Sequence, residues 1–261
     1  MNNNYYFGEP DDSYDSVLNN LTQTDVHNCE TSSIPLADFW HPRNSQGIKH
    51  LIDLLNIGFD INAFQKCFEY PVFAEKNEHQ IGKPSRTDLM LLNDKYNIAI
   101  EAKYRENFYG TIEEWKKEIK KYSVKLDVLS SWYEYIKPYS CFDSKEIQKI
   151  EQVVDYQFLH RVASACYKCP DRGKSPIVVY QLFFNKHDKE SEYHQREIAG
   201  ALRSFSQQYL KFNEKILFYI VFTPLVNVEE VRTKYKKIDS DIFLKMKENY
   251  IYRFGKSFLF N

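Results

Sequence analysis

Apolar residues recur along this chain with two periods, and the period predicts the elements. Ile48, Leu51, Ile52 and Leu55 share one side of a helix over 46–57, which Asn44 or Ser45 caps and Gly58 ends. Residues 64–76 read as extended, and the stretch 77–86, with Gly82 and Pro84, reads as a loop. Thr87–Leu92 and Asn97–Tyr104 are short apolar runs joined by Asn93-Asp94-Lys95-Tyr96, the pattern of an antiparallel hairpin. Ile112, Trp115, Ile119, Tyr122, Leu126, Leu129, Tyr133 and Ile136 alternate steps of three and four, a heptad stripe that predicts one helix ended by Pro138. A second helix is predicted over 144–166, with Ile147, Ile150, Val154, Phe158 and Val162 inward. A buried strand at 176–184, a helix over 190–212 and a strand at 215–223 follow. Helices near 228–237 and 241–249 and a terminal strand at 250–260 complete the order.

Three charges interrupt the apolar hairpin: Asp88, Glu101 and Lys103. Alternate residues of a strand face opposite sides, so Glu101 and Lys103 share one face and Ile100 and Ala102 the other. With a turn at 93–96, Leu92 pairs with Asn97 and the register carries Asp88 opposite Glu101. Facing carboxylates destabilise a ladder, and a cation between them removes the repulsion. Removal of Glu101 is therefore expected to stabilise the fold slightly. Ile98, Ala99, Ile100 and Ala102 make the strand apolar on both faces, hence buried, where a charge needs a partner or a metal. Oxygen ligands at this spacing suit Mg²⁺, which is held by one or two carboxylates together with water and substrate phosphate. The bland alternative is a surface hairpin with a Glu–Lys pair.

An Asp, a gap of about a dozen residues and Glu-x-Lys on an apolar strand resemble the PD-(D/E)xK nuclease superfamily. Thr87 stands where that family usually carries proline, and the pattern covers about twenty of the 261 residues. The resemblance implies an α/β fold with a restriction-endonuclease-like core, a mixed central sheet flanked by helices. It implies Mg²⁺-dependent hydrolysis of phosphodiester bonds in DNA, with Mn²⁺ able to replace Mg²⁺. Asp88 and Glu101 would hold the ion, with the Ala102 backbone carbonyl as a further ligand. Lys103 would orient the attacking water and stabilise charge at phosphorus. Relatives often use another acid upstream: Glu75 is the first choice, with Asp53, Glu69 and Glu78 as alternatives. Gln157, His160 and Arg161 share a helix face and, by the same resemblance, could contact the phosphate backbone. Rival readings are a nuclease-derived DNA-binding module without cleavage and a protein-interaction module built on the heptad helix.

Composition modifies this picture in three places. The net charge of −1 divides unevenly, because residues 1–40 carry seven acids and no Lys or Arg. The remainder has 35 basic against 29 acidic residues, a balance compatible with nucleic acid. Residues 1–33, rich in Asn, Asp, Ser and Thr, read as a weakly structured acidic arm before a single domain over 34–261, with a helical insertion at about 111–168. The heptad stripe could pack inside the monomer or join two copies. Five cysteines without a secreted framework imply reduced thiols, and Cys166 and Cys169 have a metal-knuckle spacing but no second pair to complete a zinc site. No apolar run is long enough to span a membrane, and the expected location is the cytoplasm.

Overall fold

The computed structural model describes residues 5–7, 9–11, 13–21, 31–58, 60–108, 110–117, 124–140, 144–210, 216–235 and 240–260. The strands are β1 (Tyr5–Phe7), β2 (Glu9–Asp11), β3 (Gln65–Lys76), β4 (His79–Leu92), β5 (Tyr96–Lys103), β6 (Ser175–Asn185), β7 (Leu217–Leu225) and β8 (Phe258–Leu259). They form one sheet in the order β2-β1-β3-β4-β5-β6-β7-β8. The pairs β3–β4, β4–β5 and β7–β8 are antiparallel, while β5–β6 and β6–β7 are parallel, so the sheet is mixed. The helices are α1 (Tyr14–Asn20), α2 (Ser33–Phe39), α3 (Ser45–Leu55), α4 (Ile112–Lys117), α5 (Lys125–Ile136), α6 (Ser144–Val153), α7 (Tyr156–Cys166), α8 (Lys189–Tyr209), α9 (Val228–Lys234) and α10 (Ser240–Glu248).

Helices cover both faces of the sheet, and strand alternation decides which side chain meets which layer. Ile98, Ile100 and Ala102 of β5 join Leu51 and Leu55 of α3 and Val17 and Leu18 of α1 in one core. Ala99 of β5 and Tyr180 of β6 join Val162 of α7 and Leu202 of α8 in the other. Glu101 and Lys103 lie on the second face, as the alternation predicts. None of the described helices is long and apolar enough to cross a membrane.

Several boundaries differ from the sequence reading, each for a local reason. The segment before residue 33 is not a loose arm: β1 pairs with β3, and Tyr14, Val17 and Leu18 are buried in the core. Residues 22–30 of that arm lie outside the described residues. Residues 79–86 are strand rather than loop, because Asn77 and Glu78 both take positive φ (51° and 67°) and close a two-residue hairpin. Asn56, left-handed at φ 51°, ends α3 before Gly58.

The heptad stretch contains α4 and α5, while residues 118–123, with Ile119 and Tyr122, lie outside the described residues. Ile112, Leu129 and Ile136 are buried in the second core, whereas Leu126 is exposed. The predicted 144–166 helix is broken at Val154-Asp155. There the backbone turns to pair with 110–112, through Ile112 N–H to Val154 O (2.9 Å) and Tyr156 N–H to Gly110 O (3.1 Å). Asp155 then caps α7 by accepting from Gln157 N–H at 2.7 Å. The terminal strand contracts to β8.

Candidate active site

The site forms where β4 and β5 part. Their ladder runs from Leu92–Asn97 to Leu89–Ile100, the register expected from the four-residue turn. One step further, Asp88 Oδ2 accepts the Ala102 N–H at 2.8 Å, so a side chain replaces the strand bond. A residue's N–H and C=O leave a strand on the same edge, so the Ala102 carbonyl also lies on the Asp88 edge. On the other side of β4, pairing passes from Phe68–Leu89 to Tyr70–Thr87 and leaves Glu69 opposite Asp88. Glu69 has φ 48°, a conformation that costs a non-glycine residue about 1–2 kcal/mol. Its carbonyl accepts from Arg86 Nη1 at 3.2 Å.

Four charged side chains converge in this notch. Glu101 Oε1 accepts from Gln157 Nε2 and lies 3.2 Å from Lys103 Nζ. Glu101 Oε2 meets Arg161 Nη2. That same nitrogen is 3.9 Å from Asp88 Oδ1 and donates to the Arg86 carbonyl at 2.9 Å. The Glu101 and Arg161 side chains are each 1% exposed, while that of Asp88 is 26% exposed and forms the opening to solvent. Two negative and two positive groups therefore balance within one half-closed notch.

Burial pushes the Asp88 carboxyl well above its ordinary range. The Glu101 charge adds to the rise, and Arg161 and Lys103 only partly oppose it. For Lys103 burial acts downward but is outweighed by Glu101, Asp88 and Glu106, so the ammonium is held charged. Arg161 is likewise pulled down by burial and raised on balance by Glu101 and Asp88. His160 moves the other way, well below its usual value, through burial and the cations Arg161 and Lys103. Its Nδ1 lies 2.8 Å from Ser85 Oγ. Burial raises Asp155 to about 6, against hydrogen bonds from the Gln157 and Gly110 N–H groups.

Of the residues singled out from sequence, Asp88, Glu101, Lys103, Gln157 and Arg161 come together. Gln157 and Arg161 are buried against the carboxylates rather than spread on an open face. Glu75 does not join them. It pairs with Gln80 near the far end of the β3–β4 hairpin, accepts from Tyr167 Oη at 2.7 Å and meets Lys168 Nζ at 3.0 Å. Asp53 pairs with Lys49 on the exposed side of α3, and Glu78 sits in the hairpin turn. Glu69 is the upstream acid nearest Asp88, and it raises the Asp88 carboxyl further. Asp155 and the Tyr180 hydroxyl, which senses Glu101, Arg161, Asp155 and Asp88, carried no signal in the sequence. Cys166 and Cys169 are buried free thiols raised by burial, and Cys169 Sγ donates to Ala165 O at 3.1 Å.

One family, described as a domain of unknown function (DUF6946), matches residues 10–221, a span that takes in every residue of the notch. The chain belongs to that family. No curated protein and no solved structure matches it. The DUF6946 match includes β3–β6 and α7, and therefore both carboxylates and both cations.

The notch of this DUF6946 member has the donor chemistry of a hard divalent cation. Asp88, Glu101 and the Ala102 carbonyl offer oxygen alone, the ligand type Mg²⁺ takes. Gln157 Oε1, an acceptor that water on a hydrated ion could satisfy, and Tyr180 Oη, which could donate to a phosphate, are buried nearby without a hydrogen-bond partner. Among the described residues no group of three or more His, Cys, Asp or Glu could hold a metal. An ion held by these two carboxylates would need solvent or substrate oxygen to complete its coordination.

Proposed function

We propose that the chain is a metal-dependent nuclease that hydrolyses phosphodiester bonds in DNA. The observation that supports it most is Asp88, Glu101 and Lys103 on one face at the point where β4 and β5 part. Asp88, Glu101 and the Ala102 carbonyl would hold Mg²⁺ or Mn²⁺. Such an ion, when bound, polarises a phosphoryl oxygen and lowers the pKa of a coordinated water. Lys103 is kept protonated and is aimed by Glu101, so its ammonium can hold that water and neutralise charge developing at phosphorus. The quarter-exposed Asp88 side chain gives substrate its approach. The order α3, β3–β5, helices, β6, α8, β7 supports a restriction-endonuclease-like core, with 111–168 as the helical insertion. A homodimer through the heptad stripe has less support, because Ile112, Leu129 and Ile136 are spent inside the chain.

The second reading is a nuclease-derived module that binds DNA or protein without cleaving. It is favoured by Arg161 and Lys103, which already neutralise the two carboxylates without any metal. Incubating the full chain with supercoiled plasmid and linear duplex DNA, in Mg²⁺, Mn²⁺ or EDTA, separates the two. Divalent-dependent cleavage lost in Glu101→Gln is the expected result. DNA retention without cleavage under every condition selects the second reading.

A further inference from the structure

The placement of Arg161 points to a control on metal loading, and this inference rests on the nuclease reading above. Its Nη2 alone meets Glu101 Oε2, lies 3.9 Å from Asp88 Oδ1 and donates to Arg86 O at 2.9 Å. A cation bridging the two carboxylates would have to occupy the same position. The rest of the guanidinium is poorly used: Nε and Nη1 are buried without a hydrogen-bond partner. A planar fork with free donors is the preferred partner of a phosphate, which takes two parallel N–H bonds.

Charge decides which cation can stay. With Arg161 and Lys103 in place the two carboxylates are neutralised, so an added Mg²⁺ leaves a net +2 in a notch open to solvent only on the Asp88 side. A DNA phosphate brings negative charge and gives the guanidinium a better acceptor. We propose that Arg161 is an exchangeable counter-ion. It holds the position between Asp88 and Glu101 in the DNA-free protein and moves to the substrate phosphate, so that the divalent cation enters with DNA.

Calorimetric titration of the full chain with Mn²⁺ tests this, with and without a phosphorothioate duplex that resists cleavage. In wild type the duplex should raise Mn²⁺ affinity at least tenfold. Arg161→Met, uncharged and similar in size, should bind Mn²⁺ at least tenfold more tightly than wild type without DNA, and the duplex should add little. Equal Mn²⁺ affinity of the DNA-free variant and wild type overturns the exchange and leaves the nuclease reading standing. Absence of Mn²⁺ binding in all four combinations overturns both. If Arg161→Met does not fold, the wild-type arginine side-chain ¹⁵N resonances decide, with Arg161 assigned by its loss in Arg161→Lys. The Arg161 signal should stay in place with Ca²⁺ alone and shift when duplex and Ca²⁺ are both present. A signal unmoved by the pair overturns the exchange.

Discussion

Glu101→Gln tests whether the carboxylates of the notch repel each other or are held by their cations. Sequence pattern alone, with Asp88 facing Glu101, predicts a slight gain in stability on losing one charge. The structure reverses the sign. Glu101 is contacted by Arg161, Lys103 and Gln157, and both it and Arg161 are 1% exposed. Removing one partner of a buried pair strands the other charge and costs about 3–5 kcal/mol. Part of this returns, because loss of the Glu101 charge lets Asp88 ionise more readily and take Arg161 as its partner. A hydrogen bond to a charged group recovers about 1.5–3 kcal/mol, so the midpoints leave a net loss of roughly 2 kcal/mol. For a chain of this size that lowers Tm by roughly 4–8 °C. Scanning calorimetry and urea unfolding of both proteins in EDTA, at neutral pH, give the comparison. A Glu101→Gln protein as stable as wild type, or more stable, would refute the reasoning and restore the repulsion argument. Replacing both partners, Glu101→Leu with Arg161→Met, should cost less than the single change, since no charge is left unpaired.

Lys103→Ala should retain its fold by circular dichroism and retain Mn²⁺ binding, yet lose about a hundredfold in kcat, about 3 kcal/mol; cleavage at the wild-type rate would reject the site. Mn²⁺ affinity should rise with pH, with proton release on binding measured in buffers of different ionisation enthalpy, because burial and Glu101 raise the Asp88 carboxyl and a ligand carboxylate must be deprotonated. Buried Asp38 is pushed up to about 8 by burial, against hydrogen bonds from the Tyr252 and Ile251 N–H groups. Its folded value lies above its ordinary 3.8, so its stability contribution is full below that value and is lost as pH rises through about 8. The metal-free Tm should accordingly fall as pH rises from about 4 to about 8, and less steeply in Asp38→Leu. Glu75→Gln should leave cleavage unchanged, because Glu75 is engaged by Tyr167 and Lys168, whereas Glu69→Gln beside Asp88 should reduce it.

What the sequence by itself determined is local. The four-residue turn Asn93–Tyr96 sets the register of the two runs, since loop length fixes which residues of a hairpin face each other, and the ladder from Leu92–Asn97 to Leu89–Ile100 follows from it. That register puts Asp88, Glu101 and Lys103 on one face before any tertiary contact is known. The identity of the remaining partners was not local. Glu69 reaches Asp88 because the β3–β4 register shifts between Val72 and Ala74, and without that shift it would face Arg86. Asp155 becomes a cap only because residues 110–112 return to pair with 154–156, and no periodicity in 144–166 announces a backbone from elsewhere. The helical spacing of Gln157 and Arg161 placed them on one face, but not that face against Glu101. That choice came from packing α7 over β5 and β6, where a buried carboxylate is stable only if cations from another element meet it. The charge balance of the notch therefore belongs to the tertiary structure, since its cations come from β5 and α7, which only the folded sheet brings together.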